Sequence, residues 1–350
     1  MSSSCHLFLA RNLSASFRVR VITIVSMTFI FNRDTLPFRT DFWIAGTRCL
    51  LNTNSHDILR SASRWKRPQL GGAQSFEMEI IVDPKLDNTT TPPAFFRGNG
   101  QIVFAFFPPN SFVTYDLLRK RVQVVLSQQA ARDDDFWSTL LLPITIGVLG
   151  IAVGVAPLHC ACLDRGGNGL LIAGESGAGK STLAAALTQR GLALISDDWT
   201  YIYRVKSGLV AHGISAPIKL LPDTVQFFSE LRELTPTVSL NGELAYEVDP
   251  SRVLGSTVKD FSRPRWVFFL ERASNPGCYF VPSRPGYTVE FFEKSAERLP
   301  DELIEAKARR TAIIQALSGC PSWIVRMGEN PHRTAEAIDH FISEAQYATA

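Results

Sequence analysis

No run of Lys or Arg longer than three residues occurs in the 350 residues of this chain, and its formal net charge is only +3. Binding to a phosphate backbone usually shows a clustered basic face, so nucleic acid is not expected as a partner. Disulfide-scaffold spacing is missing too. The six cysteines, at positions 5, 49, 160, 162, 278 and 320, are scattered as in a reduced, cytoplasmic protein. No internal repeat or low-complexity tract is visible. With 45% hydrophobic residues, the chain can bury a substantial core without covalent staples.

Long charge-free runs are also scarce. Val21 to Phe31 ("VITIVSMTFIF") follows Arg11, Arg18 and Arg20 as a secretory signal would, but "NRDTLPFRTD" after it offers no small-x-small cleavage site. The β-branched run suits a buried strand, or a start codon placed too early. Ser138 to Leu163 carries no Asp, Glu, Lys or Arg, and its length admits a membrane span. Pro143, Gly147, Gly150, Gly154 and Pro157 punctuate it, and it runs straight into a glycine-rich unit. A buried helix followed by a core strand accounts for the same letters, so no membrane insertion is expected.

Three regions follow from the pattern. Residues 1–35 read as poorly ordered or loosely attached. Residues 36–137 show short apolar runs ("FEMEIIVD", "QIVFAFF", "VQVVL") broken by "TTTPP", "GNG" and "PPN", a β-rich subdomain with one clear helix at "HDILRSASRW". After the acidic "RDDDFW", residues 138–350 read as an α/β core. There "GLLIAG" is a strand, "ESGAGK" a turn, "STLAAALTQR" a helix closed by Gly191, and "LALIS" a strand expected beside the first. "WTYIYRV" and "GLVAHGI" flank "KSG" as a hairpin. "WVFFLE" and "SWIVRM" read as later strands, and "LIEAKARRTAIIQAL" and "HRTAEAIDHFISEA" as closing helices.

Chemistry concentrates in that core. Gly174, Glu175, Ser176, Gly177, Ala178, Gly179, Lys180 and Ser181, with Thr182 after them, fit the P-loop pattern. Glycines let backbone N–H groups turn inward around an anion, and the helix opening at Lys180 aims its dipole at the same point. Lys180 would reach the β- and γ-phosphates of ATP, and the Ser181 hydroxyl would ligate Mg²⁺. Asp197 and Asp198 stand 17 and 18 residues after Lys180, at a strand end that should approach the γ-phosphate. One carboxylate can hold metal while the other accepts a proton, and two like charges so close raise one pKa. Alternatively, Asp197 is a metal residue and Asp198 only caps a turn. His159-Cys160-x-Cys162 is a poor metal cluster, because a strand would send His159 to one face and both cysteines to the other.

The stretch "HCACLDRGGNGLLIAGESGAGKSTLAAALTQRGLALISDD" resembles the catalytic core of HPr kinase/phosphorylase, and more distantly phosphoenolpyruvate carboxykinase. His159, the loop from Gly174 to Ser181, Arg190-Gly191 and Asp197-Asp198 fall in that family's register without a gap. The resemblance implies an HPr kinase C-terminal-domain fold and transfer of phosphate from ATP, with Mg²⁺, to a serine hydroxyl of a protein or peptide. It implies Asp198 as general base, Asp197 at the Mg²⁺ and His159 near the reacting phosphate; on the residues alone, His159 could equally be a satisfied core histidine. It also implies a homo-oligomer, although no segment here identifies one. The chain departs from the family where "EIRGLGI" would follow, offering "VAHGISAPIKLLPDTVQFF", and at Thr182, where the family usually carries Glu. Lys219 and Arg265 are further cations with no assigned role.

Competing readings are a small-molecule kinase and a nucleotide-binding regulator or maturation partner that transfers nothing. The Asp-Gly-Asp element of adenylylsulfate kinases, the "LSGGQ" signature of transporter ATPases and the "NKxD" of GTPases are all missing.

Overall fold

Alternating apolar residues between Phe38 and Leu126 form one seven-stranded sheet. The protein was analysed as a computed structural model, which describes residues 35–65, 74–88, 94–214, 217–238, 243–273, 277–296, 299 and 301–347. The expectations for the first 34 residues and for "TTTPP" fall outside the described residues. Strands β1 (Phe38–Ile44), β2 (Thr47–Thr53), β3 (Phe76–Val82), β4 (Phe95–Asn99), β5 (Ile102–Phe107), β6 (Ser111–Asp116) and β7 (Arg121–Leu126) lie in the order β1-β2-β3-β7-β6-β5-β4. β2, β3 and β7 are parallel neighbours. Parallel strands need a crossover, and helix α1 (His56–Ser63) supplies it for β2 and β3. Ser55 caps that helix, its hydroxyl accepting from the N–H groups of Asp57 and Ile58.

After α2 (Gln128–Arg132), a π-helical turn (Phe136–Leu141) leads into α3 (Leu142–Val153). By length and composition Phe136–Val153 could cross a membrane, yet 61% of it is buried within the protein. An all-round apolar helix needs cover on every side. One side is covered by Phe42, Met78, Val113 and Val124 of the first sheet, another by Tyr201, Tyr203 and Val210 of the second. The charge-free run is thus a buried helix followed by a core strand, as its letters suggested.

The second sheet begins with β8 (Val155–His159), β9 (Ala161–Arg165), β10 (Asn168–Gly174), β11 (Ala193–Ser196), β12 (Trp199–Val205) and β13 (Gly208–His212). A small sheet of β14 (Ile218–Leu220), β15 (Thr237–Val238) and β16 (Leu244–Val248) interrupts the sequence before β17 (Phe261–Arg272), β18 (Tyr279–Pro282) and β19 (Ser322–Met327) complete the large one. Its main path runs β11-β9-β10-β17-β13-β12-β8. Period-two alternation buries β10 on both faces: Leu170 and Ile172 join one core, Leu171 and Ala173 the other. On the first of these faces pack α4 (Lys180–Thr188) and, past the short α5 (Pro250–Val253), the last helix of the chain. On the second pack α6 (Tyr287–Ser295) and α7 (Ile304–Leu317); the last helix is α8 (Pro331–Tyr347).

One expectation is corrected. β11, which ends at the acidic pair, does not lie beside β10: β9 is inserted between them, antiparallel to both. The cause is a tight hairpin at Gly166 and Gly167, with φ of +61° and +93°, which folds β9 back along β10 before the helix is reached. β10 and β11 remain parallel to each other, so the strand–helix–strand unit survives with one strand interposed.

β13 ends where Gly213 crosses the β11 backbone. A Cβ on Gly213 would lie 1.5 Å from the Ile195 carbonyl oxygen, and the Gly213 N–H donates to the Asp260 carbonyl at 2.9 Å. Gly213→Ala should therefore cost more than about 4 kcal/mol or abolish folding, read by chemical denaturation. Gly147→Ala, in α3 with nothing within 4 Å, should be neutral or stabilising. Equal, small effects from both substitutions would overturn this account.

Candidate active site

β10 stops at Gly174 and α4 starts at Lys180, leaving five residues to reverse the chain at the sheet's edge. Gly177 and Gly179 take φ of +75° and +98°, a region open to glycine at little cost. Glu175 and Ser176 are exposed at the crest, Ala178 is buried beneath them, and Thr182 is half-buried in the first turn of α4. Lys180 turns back under the loop, where its ammonium donates to the carbonyls of Gly174 at 3.0 Å and Glu175 at 3.4 Å. Burial holds its pKa below the usual lysine range, against the opposing pull of Asp198, Asp197 and Glu175.

The acidic pair reaches this lysine in spite of the interposed strand, because both residues lie in the turn beyond β11. That turn is stapled from inside. The Thr200 hydroxyl donates to the Cys160 carbonyl at 2.7 Å, and the Ser196 hydroxyl meets Thr200 Oγ1 at 2.6 Å. With the Thr200 proton committed to Cys160, Ser196 must be the donor in the second bond. The staple ties Asp197 and Asp198 to the junction of β8 and β9, one residue from His159.

The two carboxylates then differ sharply. Asp197 is buried. Its Oδ2 accepts the Lys219 backbone N–H at 3.1 Å, the Ser181 hydroxyl lies close enough to the carboxylate to influence its pKa, and Oδ1 is buried without a hydrogen-bond partner. Burial, then the neighbouring charge of Asp198, pushes its pKa up to about 7, despite the Lys219 hydrogen bond, the nearby Ser181 hydroxyl and the Lys180 charge. Asp198 is half-exposed, with Oδ1 2.8 Å from His159 Nε2. Burial raises its pKa too, but the hydrogen bond and charge of His159, with Lys180 and Lys219, outweigh that and hold it below the ordinary value. The raised carboxyl is therefore Asp197. His159 itself stacks on Trp199, ring centroids 5.5 Å apart.

The expected residues converge: Lys180, Ser181, Asp197, Asp198 and His159 meet at one end of the sheet. Cys160 and Cys162 do not join them; both are buried in the core on the α6–α7 side. Among the described residues no three His, Cys, Asp or Glu side chains are placed to hold a metal ion. Arg265 lies near Cys320, in the N-terminal half of the strand whose Leu270 pairs with Gly174, and is not brought to the loop. Lys219 is. Sequence reasoning missed Trp199, the Ser196–Thr200 staple and Arg272, whose Nε donates to the Gly177 carbonyl at 3.1 Å. Ser196 and Trp199, which flank the acidic pair, carried a positional signal; Thr200 and Arg272 did not.

A glycine loop opening a helix, with a lysine beneath it and a carboxylate pair nearby, is an arrangement able to receive an anionic group such as a phosphate. Residues 154–220 match the HPr Serine kinase C-terminal domain family. A curated HPr kinase/phosphorylase from Lachnoclostridium phytofermentans is 38% identical over 161 residues, spanning 42% of this chain and 49% of that protein. The chain thus spans about half the length of the curated relative it matches. The solved HPr(Ser) kinase/phosphatase from Coxiella burnetii is a distant likeness, 14% identical with a TM-score of 0.31, covering 55% of this chain and 92% of that one. The chain is HPr kinase-like through this core.

The raised pKa of Asp197 has a measurable sign. Its folded value near 7 exceeds the 3.8 of an ordinary carboxyl, so the stability it contributes below pH 4 is lost as pH rises toward 7. Asp197→Asn removes that loss. In chelator-treated buffer the variant should melt above wild type by a margin that grows from pH 4 to 7, reaching a few kcal/mol at most. A margin independent of pH would show that Asp197 ionises normally.

Proposed function

We propose that this protein is an ATP- and Mg²⁺-dependent kinase that phosphorylates a serine hydroxyl of a protein or peptide. The observation that carries the reading is the meeting of Lys180 and Ser181 with Asp197 and Asp198 in one turn-and-loop cluster. The residues fit a divalent cation: Asp197 Oδ1 is a buried acceptor without a donor, and the Ser181 hydroxyl lies close to its carboxylate. A site with one carboxylate and one hydroxyl suits Mg²⁺, which usually completes its shell with water and substrate phosphates. When bound, Mg²⁺ would neutralise phosphate charge and lower the pKa of Asp197 by supplying the cation it lacks.

The chain's own residues divide the remaining work. Backbone N–H groups of the loop from Gly174 to Ser181 receive the phosphates of ATP, and Lys180 exchanges its carbonyl partners for phosphate oxygens. Asp198, held ionised and oriented by His159 through Oδ1, presents Oδ2 to the acceptor hydroxyl and takes its proton. A low pKa makes it a weak base. That is sufficient where the transition state is loose and the acceptor loses its proton late. His159, stacked on Trp199, fixes the direction of the carboxylate. In this reading residues 36–137 form a β-rich subdomain, residues 138–350 form the kinase-like unit, and the protein works in the cytoplasm.

Transfer of γ-labelled phosphate from Mg·ATP into a lysate tests the proposal. Wild type should yield an acid-stable labelled protein or peptide, and both Lys180→Ala and Asp198→Asn should lower the rate by about a hundredfold or more. ATP binding that survives Asp198→Asn, with no label moved by any form, would instead favour a nucleotide-sensing regulator.

A further inference from the structure

We infer that Lys219 is a second cationic contact to the phosphoryl group in transit, supplied from outside the loop–helix unit; this rests on the phosphotransferase reading above. Three observations carry it. The strand β14 alternates, so Ile218 and Leu220 are buried against the core around α4 while Lys219 faces outward and is exposed. The backbone of that same residue is tied into the site, its N–H donating to Asp197 Oδ2 at 3.1 Å. Its charge reaches Asp198, on which His159, Lys180 and Lys219 act as cations.

Charge demand supplies the reason. A phosphoryl group in transfer spreads its charge over three equatorial oxygens, and one lysine beneath the loop addresses them from one side. Arg272 is engaged with the Gly177 carbonyl, on the loop itself. Lys219 is a further cation beside the carboxylate pair. An ordinary surface role competes with this assignment: Lys219 stands directly across from Glu247 in the β14–β16 pair. Yet among the described residues no carboxylate lies within ion-pair distance of Lys219, and Glu247 does not engage it.

The test compares binding of a non-hydrolysable ATP analogue and of ADP, each with Mg²⁺, to full-length wild type, Lys219→Ala, Lys219→Met, Lys219→Arg and Glu247→Gln. Lys219→Met keeps the aliphatic stem should the alanine variant fold poorly. Removing the ammonium should weaken the triphosphate analogue about tenfold, as expected for a charge-assisted hydrogen bond, and leave ADP within about twofold. Lys219→Arg should recover most of the difference, and Glu247→Gln should change neither ligand. Equal losses for both nucleotides, no loss, or a Glu247→Gln effect matching that of Lys219→Met would overturn the assignment. A folded wild type that binds neither nucleotide would overturn the phosphotransferase reading, and this inference with it.

Discussion

Two carboxylates forced side by side in one turn, one of them buried, set the terms for everything around them. Such a pair cannot hold two full charges without cations at hand. The protein supplies these unevenly. Asp198 receives His159 and faces solvent, so it keeps its charge; Asp197 receives a neutral donor and keeps an unsatisfied oxygen. The hydroxyl staple from Ser196 through Thr200 to Cys160 holds the turn in this arrangement before any ligand arrives. A polar network so buried is stable only while each donor has its acceptor, and beside it Asp197 Oδ1 is left without a donor.

Much of this was legible in the residues. The loop, the α4 helix and its Gly191 terminus, the β12–β13 hairpin and the two closing helices all followed from local signals: glycines at fixed offsets, turn residues, and a period of two or about four. Gly191 takes φ of +89° and donates to the Thr188 carbonyl, as its place after Arg190 required. Strand order was not legible. Gly166-Gly167 could be read as a turn, but nothing local says that the returning strand inserts between β10 and β11. The same holds for Lys219. Its identity was plain, yet only the pairing of β14 with β16 and the bond to Asp197 separate it from any other exposed lysine.

The segment most like the HPr kinase core is short. The loop, the helix end and the acidic pair keep their register, and the matched residues end at 220, within β14. β14 pairs onward with β16, which pairs with β15, so the small sheet begins at the end of the matched segment. Phosphate-handling and acceptor-handling parts of a kinase answer to different ligands.

Helix α3 has a practical consequence for anyone who divides the polypeptide. Leu142, Ile146 and Leu149 are fully enclosed, but the walls around them come from strands on both sides of residue 137. A fragment beginning at Ser138 would keep every residue of the phosphate site and still present an uncovered greasy rod to water. Such fragments tend to self-associate or to seek detergent, and that behaviour could be mistaken for evidence of a lipid-embedded protein.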